Sequence, residues 1–421
     1  MKFKESVITN EPIKGLTTFI IPTKVRDVVT ISGSMLGGTL FSNPKNNKIS
    51  SLTSSMLDKG TQNKTKHEIS DKLESLGAEI SFISSSRHIN FTAHCLKSDL
   101  ELVISLIAEQ IKNPVFPDEE LNLLKKRMIG NLEISKDDTK KQALIGFLRE
   151  VYPEKHYNYR STIEESIKDI KTISPDDLKK FHNTVYGLGS LNIAVAGDIN
   201  NDFFINKIQK YFTDWKSQNI KKLSKSMPAN KRNESIKTKN IKDKTSSDIY
   251  IGQSIDVSED SEDYLGLMMG IYILGGNFSA RLMQTVRDEQ GLTYGIGSTL
   301  AGCGYGTSGH WYTWGTFAPN LIEKGINATI KEINNWYNSG ITEKELISKK
   351  TTINGSFQVS LDTTGGLIDK ILTNVEKDRK ISYLDNFTNK INSLDYKKIN
   401  KIIHKYINPK KFTTSIAGSK V

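Results

Sequence analysis

The chain carries two similar segments, PDEELNLLKKRMIG at residues 117–130 and ITEKELISKKTTIN at residues 341–354. In both segments, acidic residues lead into a Glu-Leu pair, two lysines and an apolar stripe. Carboxylates at the start of a helix offset the positive end of its dipole, so each segment predicts a helix N-terminus. A repeat at about 220 residues, in a chain of 421, indicates a duplicated domain.

The ends of the two halves also match. DLKKF at 177–181 leads to LNIAVAGD at 191–198, and DYKKI at 395–399 leads to FTTSIAGS at 412–419. In each case a helical segment precedes a short strand that closes on glycine. A chain of this length is also expected to form two domains of roughly 200 residues each.

We therefore predict homologous domains at 1–218 and 246–421, joined by a basic linker at 219–245. The linker holds nine Lys or Arg against Glu234 and Asp243, which gives +7 of the formal net charge of +11. It has no aromatic residue on which bases could stack, so we expect no nucleic-acid partner. A solvated linker is the favoured interpretation, and an acidic partner surface is the alternative.

The predicted fold class is α+β. Alternating segments at 28–34 and 80–83 are typical of strands, and residues 100–111 have helical periodicity. Residues 80–83 and 88–94 follow one another without a helix between them. We expect each domain to be a mainly antiparallel sheet with helices packed on one face. A parallel α/β fold is the alternative.

Composition adds little about location. Hydrophobic residues make up 37% of the chain, and no apolar run approaches the roughly 20 residues of a membrane span. The charged start at 1–6 is not followed by the apolar segment of a secretory signal. We expect a cytoplasmic protein if Met1 is the native start and a periplasmic one if a leader was removed. Cys95 and Cys303 form no C-x-x-C pair.

Several spaced motifs resemble the pitrilysin/insulinase family of inverzincin metallopeptidases. These motifs are Gly15-Leu16 before a strand ending at Pro22, Met56–Thr61, Lys72–Ala78, Ile111–Phe116 and Val195–Asp198. The match covers essentially the whole chain. It is similar to the short two-domain form, which includes bacterial peptidases, mitochondrial processing peptidase and core subunits of respiratory complex III.

The resemblance places the metal site of that family on residues that cannot bind zinc. The family motif H-x-x-E-H stands four residues before a G-T pair, here Gly60-Thr61. The third ligand follows about 76 residues after the second histidine. By this count, Ser51 and Ser55 stand at the positions of the two histidines. Ser54 stands at the position of the general base and Asn131 at that of the third ligand. Zinc requires three His, Cys or carboxylate ligands, so we expect no metal and no catalytic residue in this chain.

The second half retains an element that the family uses for substrate. LGGNFSARL at 274–282 continues into MQTVRDEQGLTYGI at 283–296, similar to the family pattern G-G-x-x-S-x-L followed by R-E-x-x-G-L-x-Y. The resemblance implies a substrate clamp formed by Arg287 and Tyr294. The adjoining substrate-binding residues would be Gly275, Gly276, Asn277, Phe278 and Ser279.

The chemistry of these residues suits a peptide. An arginine fork can bind carbonyls or carboxylates, and a tyrosine hydroxyl can donate to an oxygen on which charge develops. The glycine pair permits close backbone approach to an extended peptide. The plain alternatives are a turn before a helix capped by Ser279, and an ion pair of Arg287 with Asp288 or Glu289.

Three other patterns have structural explanations. His67-Glu68 begins an H-E pattern that we interpret as surface. His88 and His94 lie six residues apart and predict one strand face, with Cys95 on the other. The glycine cluster at 302–306 lacks a following helix and Lys-Ser/Thr, so it predicts a tight turn or hairpin.

The sequence thus predicts a catalytically inactive subunit that pairs with a homologous, H-x-x-E-H-bearing chain. The partner would supply zinc and base, and this chain would help to bind an extended or unfolded peptide. A non-enzymatic scaffold is the alternative. A hydrolase using the serines at 50, 51, 54 or 55 is a weaker one, because no His and Asp arrangement supports it.

Overall fold

The computed structural model describes residues 2–42, 46–218, 223, 228, 229 and 234–419. Its strands form two sheets. The strands are β1 Ile8–Ile13, β2 Leu16–Pro22, β3 Val28–Leu36, β4 Glu79–Ser84, β5 His88–Leu96, β6 Leu191–Gly197, β7 Ser235–Asn240, β8 Ser247–Ile255, β9 Thr293–Ala301, β10 Gly309–Phe317 and β11 Thr413–Gly418.

Helices make up most of the remaining structure. They are α1 Phe3–Ser6, α2 Ile49–Ser55, α3 Lys66–Glu74, α4 Leu100–Lys112, α5 Asp118–Ser135, α6 Thr139–Val151, α7 Ile163–Thr172, α8 Pro175–Val185, α9 Asn201–Phe212, α10 Tyr264–Gly275, α11 Ile322–Ser339, α12 Glu343–Val359, α13 Thr364–Glu376, α14 Ser382–Asn392 and α15 Tyr396–Tyr406. A π-helix covers Met283–Glu289. Short 3₁₀ turns lie at Thr39–Phe41, Lys97–Asp99 and Pro409–Lys411.

The two sheets confirm the predicted α+β class. The first has the order β1-β2-β6-β3-β5-β4 and the second β7-β11-β8-β10-β9. Neighbouring strands are antiparallel except for the pairs β2–β6 and β11–β7. The hairpin β4–β5 joins the two segments that follow one another without a helix. Loop 302–308 connects β9 to β10, so the second glycine cluster is the hairpin that we predicted.

Helices cover both faces of the first sheet. Apolar side chains of α4, α8 and α9 pack on one face together with β3, β5 and β6. The other face, which includes Phe19 and Ile21, packs against Leu367, Ile368 and Ile371 of α13. The second layer was not predicted, because α13 comes from the other half of the sequence.

The compact units therefore differ from the two sequence halves. The first unit consists of 1–129, 166–224 and 356–387, and the second of 130–165, 225–355 and 388–421. Each unit contains a helical segment from the opposite half. The predicted boundaries at 218 and 246 follow the repeat in the sequence. The extent of each compact unit instead depends on where apolar helix faces are buried.

Part of the predicted linker is a strand. Residues 235–240 form β7, which pairs in parallel with β11 at the edge of the second sheet. Most of its side chains are exposed, as expected of an edge strand that carries Lys237 and Lys239. Residues 219–222, 224–227 and 230–233 lie outside the described residues.

The repeated helix starts are confirmed, with a shift of one residue. Lys125 Nζ donates to the carbonyl of Ile173, just before α8. Lys350 Nζ donates to the carbonyl of Leu394 at 2.6 Å, just before α15. The structure thus equates Lys125 with Lys350, whereas the segments as aligned above equate it with Lys349.

A buried aromatic and histidine cluster joins α6 to β10 in the second unit. The Tyr152 hydroxyl lies 2.9 Å from His310 Nδ1, and the Tyr152 and His156 rings stack. Burial, with smaller contributions from Arg160 and His156, lowers the pKa of His310 to about 3. The folded protein therefore holds this imidazole neutral.

Acid should weaken the second unit through His310. Because its folded pKa lies below the ordinary value of 6.5, stability is full above pH 6.5 and falls as the pH drops toward 3. We expect His310→Gln to reduce the slope of unfolding free energy against pH by up to about 1.4 kcal/mol per pH unit. Urea denaturation followed by tryptophan fluorescence at pH 4 to 7 measures the slope. His67→Gln, on an exposed side chain, should leave it unchanged.

Candidate functional site

Ser51 and Ser54, at metal-site positions of the family motif, and the neighbouring Ser50 make local hydrogen bonds. Ser51 Oγ donates to the Lys48 carbonyl at 2.9 Å, and Ser54 Oγ donates to the Ser51 carbonyl at 3.0 Å. Ser50 Oγ donates to the Gly37 carbonyl and lies 2.6 Å from Ser84 Oγ. These hydroxyls therefore satisfy the backbone of α2 and its surroundings.

The third predicted metal position, Asn131, is an exposed residue of α5. Across the described ranges, no three His, Cys, Asp or Glu side chains are grouped so that they could hold a metal ion. The residues at all four motif positions thus offer hydroxyls and one amide in place of imidazoles and carboxylates.

The structural explanations of the other histidines are confirmed. Glu68 closes a capping box with Thr65 at the start of α3, and His67 is exposed. His88 is buried on β5 with Nδ1 3.8 Å from Glu376 Oε2, and burial lowers its pKa to about 4. His94 is exposed, and its Nδ1 lies 3.2 Å from Thr30 Oγ1.

The glycine pair lies where α10 ends against edge strand β9. A Cβ built at Gly275 would lie 2.5 Å from the Ser298 amide nitrogen, and one at Gly276 would lie 2.1 Å from the Tyr272 ring. Both contacts are closer than any side chain permits. Gly275 therefore allows close approach of the chain's own β9, and the approach of a peptide backbone stays a prediction.

A buried lysine holds the turn after α10. Lys349 Nζ donates to Asn277 Oδ1 at 3.0 Å, to the Ser279 carbonyl at 3.0 Å and to Ser279 Oγ at 2.6 Å. The Asn277 amide also donates to the Tyr272 hydroxyl at 3.1 Å. Ser279 is thus a partner of Lys349 rather than the helix cap of the alternative interpretation.

A second anchor ties the same turn to the start of α12. Arg281 donates through Nε and Nη2 to the two carboxylate oxygens of Glu345, at 2.6 and 2.8 Å. Burial opposes ionisation of Glu345, but hydrogen bonds from Arg281 and Thr342 outweigh it and lower its pKa to about 2. A bidentate pair of this kind fixes orientation as well as distance.

Arg287 and Tyr294 lie side by side. Arg287 Nε, on the π-helix, donates to the Tyr294 carbonyl at 3.2 Å, and Nη1 pairs with Asp288 Oδ1 at 2.9 Å. The register of β9 against β10 passes from Gly295 to Thr293, so Tyr294 is the extra residue of a bulge. Its side chain is 96% exposed. Bulges and π-turns both recur beside functional sites.

These elements enclose a groove of about 600 Å³ along β9. Five of the seven predicted substrate-binding residues line it, namely Gly275, Gly276, Asn277, Phe278 and Tyr294. Ser279 and Arg287 do not line the groove. Each is hydrogen-bonded to a residue that lines or flanks the groove. The Trp314 ring lies 3.5 Å from the position of a Cβ at Gly295, so a side chain at this position would contact the ring, over which Lys140 Nζ lies at 3.7 Å from the centroid.

The groove runs along the edge of the second sheet and has exposed aromatic side chains. β9 is the last strand of its sheet, so no strand from the described part of the chain pairs with its outer side. Phe278, which is 80% exposed, lies with Tyr294 at the groove.

Four residues at the site were not predicted from the sequence, namely Lys349, Arg281, Glu345 and Trp314. The only sequence signal for Lys349 was its place in the repeated lysine pair.

Family models match most of the chain. The model described as Insulinase (Peptidase family M16) matches residues 20–158, and the one described as Peptidase M16 inactive domain matches residues 172–353. The chain belongs to peptidase family M16. Its second half matches the inactive-domain model of that family.

Two bacterial M16 relatives cover most of the chain. An "Uncharacterized zinc protease YmxG" of Bacillus subtilis is 24% identical and covers 86% of each chain. A "Non-peptidase homolog YmxG" of Helicobacter pylori is 21% identical and covers 91% of this chain and 87% of its own.

Solved structures share the M16 fold. A peptidase M16 inactive domain from Pseudomonas fluorescens superposes with a TM-score of 0.88 at 22% identity, covering 99% of this chain and 98% of its own. A protease from Helicobacter pylori superposes with a TM-score of 0.85 at 16% identity, with 98% of both chains covered.

Among the described residues, no helix is long and apolar enough to cross a membrane.

Gly275→Ala should destabilise this M16 chain by displacing β9. The added methyl must push against the Ser298 backbone, at a cost of about 2 kcal/mol. We expect the melting temperature to fall by about 5 °C in differential scanning fluorimetry. Gly355→Ala is the matched control, because that exposed helical glycine has nothing within 4 Å of its Cβ position. It should raise stability by about 0.5 kcal/mol. Equal effects at both sites would contradict the packing argument.

Zinc should not bind this chain stoichiometrically. Serine hydroxyls and one asparagine amide cannot replace two imidazoles and a carboxylate. We expect well under one zinc per chain by mass spectrometry of metals, and no change in melting temperature with chelator. An H-x-x-E-H-bearing M16 homologue prepared in parallel provides the positive control. One tightly bound zinc per chain would overturn the prediction.

Proposed function

We propose that the chain is the catalytically inactive subunit of a zinc peptidase pair, in which it binds an extended polypeptide. A homologous subunit with H-x-x-E-H intact supplies the zinc and the general base. The observation that carries the proposal is the position of Arg287 and Tyr294 at the open edge of β9, beside an apolar groove.

Edge strand β9 suits recognition of backbone rather than sequence. A peptide that adds to a sheet edge gains main-chain hydrogen bonds, and pockets for alternate side chains add preference. Gly295 and Gly297 carry no side chain on the face where the Trp314 ring lies. Apolar side chains of a bound strand would contact Trp314, Phe278 and Tyr294.

The Arg287 guanidinium is held in place before any peptide arrives. Arg287 is fixed by the Tyr294 carbonyl and by Asp288, which leaves Nη2 without a hydrogen-bond partner in the described parts of the chain. The Tyr294 hydroxyl projects into solvent, so both groups can reach a ligand carbonyl. A preorganised site loses less conformational entropy on binding.

The pairing with a sister subunit rests on the division of chemistry. The chain carries a groove and a clamp, but Ser51, Ser54, Ser55 and Asn131 provide neither metal ligand nor base. The inactive type of its family supports the proposal. A scaffold without enzymatic role is the second candidate, since the Arg287–Asp288 ion pair alone would give Arg287 a structural purpose.

Arg287→Ala should slow the paired peptidase without dissociating it. We expect the kcat/KM of the complex with its H-x-x-E-H-bearing homologue to fall at least tenfold, because one charged hydrogen bond to the peptide is lost. Tyr294→Phe, which removes only the hydroxyl, should give a smaller fall. Cleavage of a fluorogenic peptide measures the rate, and size-exclusion chromatography verifies the complex.

The control is Arg26→Ala, which removes an exposed arginine of the first unit. It should leave the rate unchanged. Failure of the two chains to form a complex would refute the pairing. An intact complex whose rate is indifferent to Arg287→Ala would refute the clamp and favour the scaffold.

A further inference from the structure

A stripe of lysines lies on the exposed side of α15 and the 3₁₀ turn that follows it. We define this basic stripe as Lys397, Lys401, Lys410 and Lys411, all of which are exposed. Lys397 and Lys401 are four residues apart and share a helix face. Residues 396–419 contain no Asp or Glu, so this segment supplies no acid of its own; Glu150 and Asp256 from other elements line a pocket together with Lys411.

The other two lysines of α15 are neutralised. Lys398 Nζ lies 3.0 Å from Glu262, and Lys405 Nζ lies 2.7 Å from Asp263, at the start of α10. The four stripe lysines have no ion pair in the described part of the chain. Lys397 also lies in the first turn of its helix, where the dipole favours acidic residues.

The equivalent helix of the other repeat shows that the fold does not require this charge. α8 also precedes the last strand of its half, and its start is anchored by Lys125 as α15 is by Lys350. Its first turns read Pro-Asp-Asp-Leu-Lys-Lys, and Asp176 pairs with Lys179 at 3.6 Å. Two acids thus balance two lysines on α8, whereas α15 carries four lysines and no acid.

The apolar side of α15 is already used within the second unit. Ile399, Ile402 and Ile403 are buried, and the last two pack against the glycines at 266 and 270 of α10. These side chains cannot enter a partner. Any partner of the stripe must therefore be attracted by charge alone and reversibly.

We propose that the basic stripe docks this chain on an anionic phospholipid surface. Lysines are point charges that suit a diffuse field of headgroups, whereas arginine is favoured where individual carboxylates are gripped bidentately. Each lysine near such a surface raises the partition coefficient about fivefold at 25 °C. With four uncompensated lysines, the effect is several-hundredfold, and salt screens it.

Vesicle sedimentation tests the proposal on the full chain. The vesicles contain either phosphatidylcholine alone or phosphatidylcholine with 30 mol%, roughly a physiological share, of phosphatidylserine. We expect binding to the anionic vesicles at low salt and its loss in about 0.5 M salt. The variant K397Q/K401Q/K410Q/K411Q should reduce binding more than a hundredfold. Its melting temperature should stay near wild type, because all four side chains are exposed.

A matched variant separates a local stripe from net charge. K14Q/K24Q/K72Q/K126Q removes four exposed lysines from the first unit and so makes the same change in charge. It should retain binding within about fivefold. Equal loss in both variants would overturn the proposal, as would no binding of wild type to anionic vesicles. Binding to polyglutamate but not to vesicles would assign the stripe to an acidic protein instead.

Discussion

The groove depends on one close contact, the approach of the end of α10 to the backbone of β9 at Gly275. Because this residue has no side chain, the helix can end directly on the edge strand rather than a side chain's width away. The turn at 276–280 then leaves the sheet where Lys349 can hold it. Phe278 is consequently presented to solvent on a braced turn, beside the edge strand of the second sheet.

The bracing includes two contacts that Arg287 makes at the same time. Arg287 makes the ion pair with Asp288 that its neighbours in sequence suggest, and it also donates to the Tyr294 carbonyl. The first contact limits the rotamers of the guanidinium, and the second fixes it beside the tyrosine. An ion pair on an exposed surface contributes little to stability, so its main effect here is on geometry.

Local pattern sufficed for much of the fold. The strands at 28–34, 80–83 and 88–94 and the helix at 100–111 follow from periodicity, because each depends on its own alternation of apolar residues. Contacts between residues far apart in the sequence left no such local pattern. Lys349 reads as one of two surface lysines, yet it is buried against a turn 70 residues earlier. The sequence of β7 is typical of a linker, because its edge position leaves lysines exposed. The apolar stripe of α13 predicts a buried helix face but does not indicate which sheet it covers.

The exchange of helices between halves has a consequence for how the chain is made. The first sheet is complete only when α13 packs on it, and Thr30 Oγ1 on β3 bonds to Thr364 Oγ1, 334 residues later. Closing so long a loop is slow in folding. During synthesis the first 218 residues would therefore leave the ribosome with one apolar face of their sheet still bare. The placement of a single helix thus leaves both faces of the first sheet covered only after most of the second half has been made.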